Sequence, residues 1–126
     1  MILDSCFLID LQREVRKGVS GPATNFLREH ASASFWISVI SVAEFLEGFA
    51  QPEEGERLLR AYARVDVDSQ IASRAAVIRR SLRREGNLIG DFDILIAATA
   101  LSESIPLVTR NVSEFGRIEG LQLIPY

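Results

Sequence analysis

The 126-residue sequence has very few of the residues on which several common protein sites depend. Cys6 is the only cysteine and His30 the only histidine, so an internal disulfide is excluded and a zinc site built from cysteine and histidine is implausible. Lys17 is the only lysine, so the positive charge comes almost entirely from arginine, whose planar guanidinium is suited to carboxylates and phosphates. With 14 basic and 17 acidic side chains, the chain has no overall electrostatic attraction to nucleic acid.

The sequence also shows no pattern typical of a membrane-spanning segment or of a secretory leader. The small and apolar stretch Ile94 to Leu101 is far shorter than the roughly 20 residues that a membrane-spanning helix needs, which predicts a buried helix instead. No basic-then-apolar segment precedes the first strand-like residues, so nothing indicates secretion, and a cytoplasmic protein is expected. The length predicts one domain over residues 1–126 that buries its core without disulfides.

Short apolar strands alternate with helical patterns along the chain. Strands are predicted at residues 1–3, 35–40, 65–67, 105–109 and 121–124. Helices are predicted at about residues 6–17, 20–30, 41–50, 53–63 and 69–85, and from residue 91 onward. This alternation predicts an α/β fold of three layers, with a central, mostly parallel sheet covered by helices on both faces. Such sheets bind ligands at the carboxyl ends of their strands, near the point where the strand order reverses.

Four acidic residues fall where the chain leaves this predicted edge of the sheet. Asp4 ends the first strand, and Glu44 lies in the predicted first turn of the helix after the second strand. Asp93 begins the apolar helix, and Glu114 follows the strand at 105–109. Converging carboxylates raise one another's pKa unless cations neutralise them, and Mg²⁺ or Mn²⁺ is the natural counter-ion for oxygen ligands. Such a site supports displacement at phosphorus, because the metal activates water and neutralises the leaving oxygen.

Each of these acids also has a purely structural interpretation. Asp4 could cap the helix that begins near Cys6, and Ser41-x-x-Glu44 fits a capping box. Acids in the first turn of a helix are favoured by its exposed amides and dipole, and this interpretation is preferred for Asp91. Asp93 differs because it enters an otherwise buried helix, where a carboxylate needs a partner such as a metal ion.

Four segments in order carry a resemblance to a known family. They are Ile2-Leu3-Asp4-Ser5, Ser38-Val39-Ile40-Ser41-Val42-Ala43-Glu44-Phe45-x-x-Gly48, Asp93-x-x-Ile96-Ala97-Ala98-x-Ala100 and Leu107-Val108-Thr109-Arg110-Asn111-x-x-x-Phe115. Together they resemble the ordered motifs of PIN domains, and most closely those of the VapC toxins of prokaryotic type II toxin–antitoxin systems. By that resemblance, Asp4, Glu44 and Asp93 match the three acidic metal ligands. Ser5 matches the small hydroxyl residue that supports the site.

Two positions depart from the family pattern. Asn111 stands where many members carry a fourth aspartate after the threonine, and the nearest acid is Glu114. The fourth ligand could therefore be Asn111, Glu114 through water, or absent. Asp91 occupies a position that is often non-acidic in relatives, which makes it either a cap or an auxiliary carboxylate.

The resemblance implies a Mg²⁺- or Mn²⁺-dependent endoribonuclease toxin. Such a protein is typically a homodimer that a cognate VapB-like antitoxin holds inactive. The alternative is a catalytically impaired PIN-like domain that only binds RNA or protein, which the presence of Asn111 keeps open.

Several other side chains have two interpretations. The arginine face (Arg74, Arg79, Arg80, Arg83 and Arg84) could contact RNA phosphates, although a solvated helix face is slightly preferred. Arg110 is a sharper candidate, because the Thr109-Arg110-Asn111 turn is expected to project over the site.

Phe45, Leu46 and Phe49 belong either to a groove for an antitoxin helix or to the core.

Three other α/β classes lack their diagnostic residues in this sequence. A phosphoacceptor receiver domain would have an adjacent acidic pair after the first strand and a lysine after a late strand. An aspartyl phosphatase would have a second aspartate where Cys6 stands, and a dinucleotide-binding fold would have a glycine-rich first turn.

Overall fold

The computed structural model describes residues 1–126 as a five-stranded sheet between two layers of helices. The strands are β1 (Ile2–Leu3), β2 (Trp36–Ser38), β3 (Ala63–Val65), β4 (Leu107–Val108) and β5 (Leu123–Ile124). The helices are α1 (Ser5–Lys17), α2 (Pro22–Glu29), α3 (Val39–Glu47), α4 (Pro52–Leu59), α5 (Ser69–Arg84), α6 (Asp91–Glu103) and α7 (Val112–Phe115). The strand order is β3-β2-β1-β4-β5, and every neighbouring pair is parallel. The predicted α/β/α fold is confirmed.

The central strand β1 separates two hydrophobic cores. Ile2 packs into the core that includes residues of α5 and α6, whereas Leu3 packs into the core that includes residues of α1, α2, α3 and α4. Successive side chains of a strand point to opposite faces of the sheet, so a strand covered on both sides must be apolar throughout. Both residues of β1 are fully buried, which explains the continuous apolar run at the start of the sequence.

The second strand is shorter than its sequence predicts. Residues 35–40 are apolar and β-branched enough to predict one strand, but the strand ends at Ser38 and α3 begins at Val39. The reason is a helix cap, because the Ser38 hydroxyl accepts the Ile40 N–H at 3.2 Å. This earlier start places Glu44 in the body of α3 and not in its first turn.

The edge strand β3 lies at a different position from the one that the apolar residues predict. The sequence predicts a helix at 53–63 and a strand at 65–67, whereas α4 ends at Leu59 and β3 spans Ala63–Val65. Ala63 and Arg64 are exposed at the edge of the sheet, so this strand has no buried alternation that a sequence could reveal. Its position is decided by parallel pairing with β2.

The ends of β1 and β4 lie side by side where the strand order reverses. The Asp4 N–H donates to the Val108 carbonyl at 3.1 Å, which ties the residue after β1 to the end of β4. The predicted buried helix is confirmed as α6, in which Ile94 and the run from Ile96 to Ala100 are buried. Neither α6 nor any other helix combines the length and the apolarity needed to cross a membrane.

Candidate active site

Asp4 is buried at the carboxyl end of β1 and has three side-chain neighbours within hydrogen-bond distance. Its Oδ2 accepts from the Thr109 hydroxyl at 2.7 Å and from the Cys6 thiol at 2.8 Å, and its Oδ1 lies 3.2 Å from Ser5 Oγ. Although Asp4 occupies the N-cap position of α1, its side chain makes no capping hydrogen bond. The helix-cap interpretation of this carboxylate is therefore wrong, and the carboxylate is held by residues from β4 and α1 instead.

Ser5 connects Asp4 to Glu44. The Ser5 hydroxyl donates to Glu44 Oε2 at 2.6 Å and also lies within hydrogen-bond distance of Asp4. A hydroxyl has one proton, so it cannot donate to both carboxylates at once. The two acids therefore lie on either side of one small hydroxyl group.

Glu44 does not belong to a capping box. Ser38, and not Ser41, caps α3, and the Ser41 hydroxyl points to the Leu3 carbonyl at 3.5 Å. Because Glu44 lies six residues into α3, its carboxylate cannot return to the first amides of that helix. Its hydrogen-bond partner is Ser5, at the start of another helix.

Asp93 carries the clearest electrostatic sign of a carboxylate cluster. Burial raises the pKa of its carboxyl group, and neighbouring negative charges raise that pKa further, to about 6. Those charges are, in decreasing order of effect, Asp4, Glu44 and Glu114. The structure thus brings all four predicted acids into electrostatic contact, and we call Asp4, Glu44, Asp93 and Glu114 the carboxylate cluster.

Asn111 orients the fourth acid. The Asn111 side-chain amide donates to Glu114 Oε2 at 2.8 Å, and the Asn111 N–H donates to the Thr109 hydroxyl at 3.0 Å. Thr109 in turn donates to Asp4, so the turn after β4 joins the first and fourth acids of the cluster. Asn111, which stands where many family members have an aspartate, thus holds by a hydrogen bond the Glu114 carboxylate, three residues further along the chain.

Two predicted auxiliary residues form ion pairs with residues outside the cluster. Asp91 is exposed at the start of α6 and pairs with Arg79 Nε at 2.7 Å, so it joins α6 to α5. Arg110 forms an ion pair with Asp10 of α1, and none of the cluster acids has an ion-pair partner. The turn that carries Arg110 does reach the acids, through Thr109 and Asn111, while the Arg110 guanidinium itself is held by Asp10.

Cys6 makes a contact that the sequence did not indicate. Its thiol contacts Asp4, Thr109 Oγ1 at 3.6 Å and the Tyr126 hydroxyl at 3.7 Å. Burial and the nearby Asp4 carboxylate raise the pKa of this thiol, which keeps it protonated as a hydrogen-bond donor. Only the close approach of β4 and the C-terminal residue to α1 creates this environment.

The chemistry of the cluster fits a hard divalent cation. As the side chains stand, no group of three or more His, Cys, Asp or Glu residues is arranged to hold one ion. The donors are nevertheless carboxylate and hydroxyl oxygens, which Mg²⁺ and Mn²⁺ prefer. No arginine or lysine pairs with any of the four acids, so their mutual repulsion is left for a cation to relieve.

By its fold and its site, the chain is a parallel α/β/α protein with unpaired acids gathered at the carboxyl edge of its sheet. The profile of the PIN domain family matches residues 1–121, which is nearly the whole chain. The chain belongs to the PIN domain family, and the resemblance carried by its four motifs is confirmed.

Named relatives point to one branch of this family. The chain is 33% identical over 94 residues to ribonuclease VapC1 of Methanocaldococcus jannaschii, a match that covers 71% of this chain and 68% of the relative. It is 34% identical over 93 residues to the tRNA(fMet)-specific endonuclease VapC of Shigella flexneri, covering 68% of this chain and 70% of the relative.

Solved structures agree with the sequence relatives. The structure of VapBC2 from Rickettsia felis, bound to a DNA fragment from its promoter, contains a similar chain with a TM-score of 0.82 and 26% identity, over 99% of this chain and 97% of that one. VapBC-1 from nontypeable Haemophilus influenzae contains another, with a TM-score of 0.81 and 27% identity, over 98% and 96% of the two chains.

Proposed function

We propose that the carboxylate cluster is the catalytic centre of an endoribonuclease that acts as the toxin of a type II toxin–antitoxin system. The observation that carries this proposal is the convergence of four unpaired acids, three of which add to the effect of burial in raising the pKa of Asp93 to about 6. The ribonuclease and endonuclease names of the VapC relatives support RNA as the substrate. RNA as substrate also favours the cytoplasm as its place of action.

Asp4, Glu44 and Asp93 are proposed as metal ligands. Mg²⁺ or Mn²⁺ held there would make water a better nucleophile and neutralise charge on the leaving oxygen of a phosphodiester. The Thr109 hydroxyl holds the Asp4 carboxylate in place by a hydrogen bond, and the Ser5 hydroxyl donates to Glu44.

Glu114 is proposed as the fourth carboxylate, with Asn111 positioning it through the 2.8 Å amide contact. In this arrangement Asn111 contributes no charge of its own. Glu114 replaces the charge that an aspartate at position 111 would bring to the site.

A second surface supports an antitoxin as partner. An apolar groove of about 640 Å³ runs between α1, α3 and α4, and Val15 and Leu58 on its walls are 65% and 51% exposed. Phe45 is buried in the core and also lines this groove. Phe49 lines the groove as well, and its ring centroid lies 5.0 Å from that of Phe45. We propose that an apolar segment of a VapB-like antitoxin binds in this groove, by the mode in which amphipathic helices bind grooves. The structures of VapBC complexes among the similar proteins support such a partner, and a homodimer is proposed for the toxin itself.

RNA cleavage by acid-to-amide variants tests the proposed function. Asp4→Asn, Glu44→Gln and Asp93→Asn remove one charge each while keeping size and shape. Because metal binding needs that charge, we expect each change to reduce cleavage of cellular RNA by about 10²-fold or more. Stability in the absence of metal should be retained or raised, because each substitution removes a repelling charge.

The control is the unsubstituted protein with EDTA, whose activity should disappear and return on adding Mg²⁺ or Mn²⁺. Folded variants with near-wild-type cleavage would contradict the assignment of the cluster. An unsubstituted protein that binds RNA but never cleaves it with either metal would support the binding-only alternative.

A further inference from the structure

A cavity lined by basic residues includes Arg110, from the turn that also carries two contacts of the carboxylate cluster. It has a volume of about 370 Å³ between α1, the start of α2 and the turn after β4. Its three cationic residues are Arg13, Lys17 and Arg110, and its other lining residues include Asp10, Glu14 and Tyr126. We call it the basic cavity.

The two acids of the basic cavity are already engaged within the protein. The Glu14 carboxylate accepts the N–H groups of Gly21, Ala23 and Thr24 at 3.2, 3.1 and 2.8 Å, and so its charge is satisfied by the start of α2. Asp10 accepts the Tyr126 hydroxyl at 3.0 Å and pairs with Arg110. Neither carboxylate is left to repel an incoming anion with its full charge.

The cations, in contrast, keep donors that are not used. Arg110 uses only Nη1 for Asp10, which leaves Nε and Nη2 without a hydrogen-bond partner. Arg13 approaches Asp10 only to 3.7 Å, and Lys17 forms no ion pair. A guanidinium whose Nε and Nη2 donors are free can bind a phosphate through that edge while Nη1 stays anchored to a carboxylate.

The basic cavity is linked to the carboxylate cluster through intermediate residues. Arg110 lies between Thr109, which donates to Asp4, and Asn111, which donates to Glu114. Tyr126 lines the cavity, and its hydroxyl is 3.7 Å from the Cys6 thiol, which is itself 2.8 Å from Asp4. Along each of these two routes a single residue, Thr109 or Cys6, separates the lining of the cavity from Asp4 of the proposed cleavage site.

From this arrangement we infer that the basic cavity binds a backbone phosphate of RNA that flanks the scissile phosphate. The inference rests on the proposed function. The chain has a formal net charge of −3 and concentrates four acids at the cluster, so long-range attraction to RNA is absent. Local cations with free donors must then supply the phosphate contacts, which dominate the affinity of proteins for nucleic acids.

The exposed arginines of α5 provide a matched comparison. Arg83 and Arg84 carry the same charge in the last turn of that helix, but they line neither the apolar groove nor the basic cavity and pair with no acid of the cluster. If RNA responded only to total charge, substitutions at both places would have equal effects.

The test measures binding of a fluorophore-labelled oligouridylate to Asp93→Asn protein, in which cleavage is suppressed. In that background, Arg110→Gln is expected to weaken binding about tenfold, as the loss of a charged hydrogen bond does. The Arg13→Gln, Lys17→Gln pair should lower the slope of log affinity against log salt by about 0.7 for each phosphate that the variant no longer binds. Glutamine can still donate to Asp10, and unchanged circular dichroism and melting would confirm that Arg110→Gln folds.

The Arg83→Gln, Arg84→Gln pair is the control and should leave affinity and salt slope nearly unchanged. Equal effects of the cavity and control pairs would overturn the inference, and so would unchanged binding in all variants or a loss of antitoxin affinity alone. These outcomes differ from failure of the proposed function, which would be absence of metal-dependent RNA cleavage by the unsubstituted protein. In the cleaving enzyme, substitution of Lys17 should raise KM more than it lowers kcat.

Discussion

The carboxylate cluster and the apolar groove both lack a binding partner within this chain. The cluster lacks a positive charge, whereas the groove lacks apolar atoms to cover it. The cluster holds four acids with no positive partner, and burial together with the charges of the other three raises the pKa of Asp93 to about 6. The groove instead leaves hydrocarbon in water, with Val15 and Leu58 among the most exposed apolar side chains. A small cation is enough to neutralise the repulsion among the acids, whereas only a partner with its own apolar surface can remove the groove from water.

The same two helices serve both regions. Ser5 at the start of α1 joins the cluster, and Val15 near the end of that helix lines the groove. On α3, Glu44 reaches Ser5 while the adjacent Phe45 lines the groove. A partner in the groove would thus lie against helices that position the acids, without contacting the acids themselves.

Charge placed in the groove should separate the two regions most strongly. We expect Leu58→Glu to weaken binding of the cognate antitoxin by about 30-fold or more, the loss typical of a central interface residue. RNA cleavage by the free toxin should not change, because Leu58 is exposed and has no contact with the cluster. Isothermal titration and a cleavage assay measure the two effects.

Val77→Glu supplies the control for that experiment. Val77 is 69% exposed on α5, away from the groove, so the same new charge there should leave antitoxin affinity unchanged. A similar loss of affinity in both variants would place the antitoxin elsewhere or show an effect of charge alone.

Metal binding should stabilise the cluster and leave the groove unaffected. At Mn²⁺ concentrations about tenfold above its Kd, mass action adds roughly 1.4 kcal/mol to the free energy of unfolding. For a chain of this size, that raises Tm by about 5 °C. Scanning calorimetry with and without Mn²⁺ should show this shift in wild type and in Leu58→Glu.

Asp93→Asn should show a much smaller shift, since it removes one proposed ligand. If Mn²⁺ raised its Tm as much as that of wild type, Asp93 would not be a ligand.

The smallest expected effect is the pH dependence of stability in the metal-free protein. The pKa of Asp93 is raised from 3.8 to about 6 on folding, so the folded state holds this proton more tightly than the unfolded state. Stability from this group is fully present below pH 4 and is lost as the pH rises through about 6. After allowing for solvent screening of a half-buried group, the loss is on the order of 1 kcal/mol.

Urea unfolding across pH 4 to 7 in EDTA measures this loss as the difference between wild type and Asp93→Asn. The variant has no carboxyl group at position 93, so the difference between the two proteins should change across this range. A constant difference would show that Asp93 does not interact with the other acids.

Much of the fold could be predicted because its core elements follow local patterns. The apolar run of α6 and the helical spacing of Ile71, Ala75, Ile78 and Leu82 in α5 correspond to buried faces. Predictions failed where a single contact decided a boundary. The Ser38 cap turns Val39 and Ile40 into helix, and pairing with β2 makes a strand of exposed residues at β3.

For the site, sequence order identified which acids would meet, because the carboxyl ends of parallel strands share one edge. It could not identify their partners. Those partners lie in other parts of the chain or in turns between elements. Ser5 lies between Asp4 and Glu44, the Asn111 amide donates to Glu114, and the Cys6 thiol contacts Asp4. Arg110 shows the same limit, since its position beside Asn111 predicted a place over the cluster while Asp10, a hundred residues earlier, holds its side chain.

By itself, then, the sequence determined the class of fold and which four acids follow the strands at one edge of the sheet, but it left the fourth ligand open. Hydrophobic periodicity and the order of the motifs are properties of the chain itself, so both can be recognised without knowing which segments contact each other. Only the tertiary structure decided which charges are paired and which are left unpaired, because charges interact across space and not along the chain. That difference separates the carboxylate cluster, where no cation approaches, from the basic cavity, where Asp10 and Glu14 are already satisfied and the arginines keep donors free.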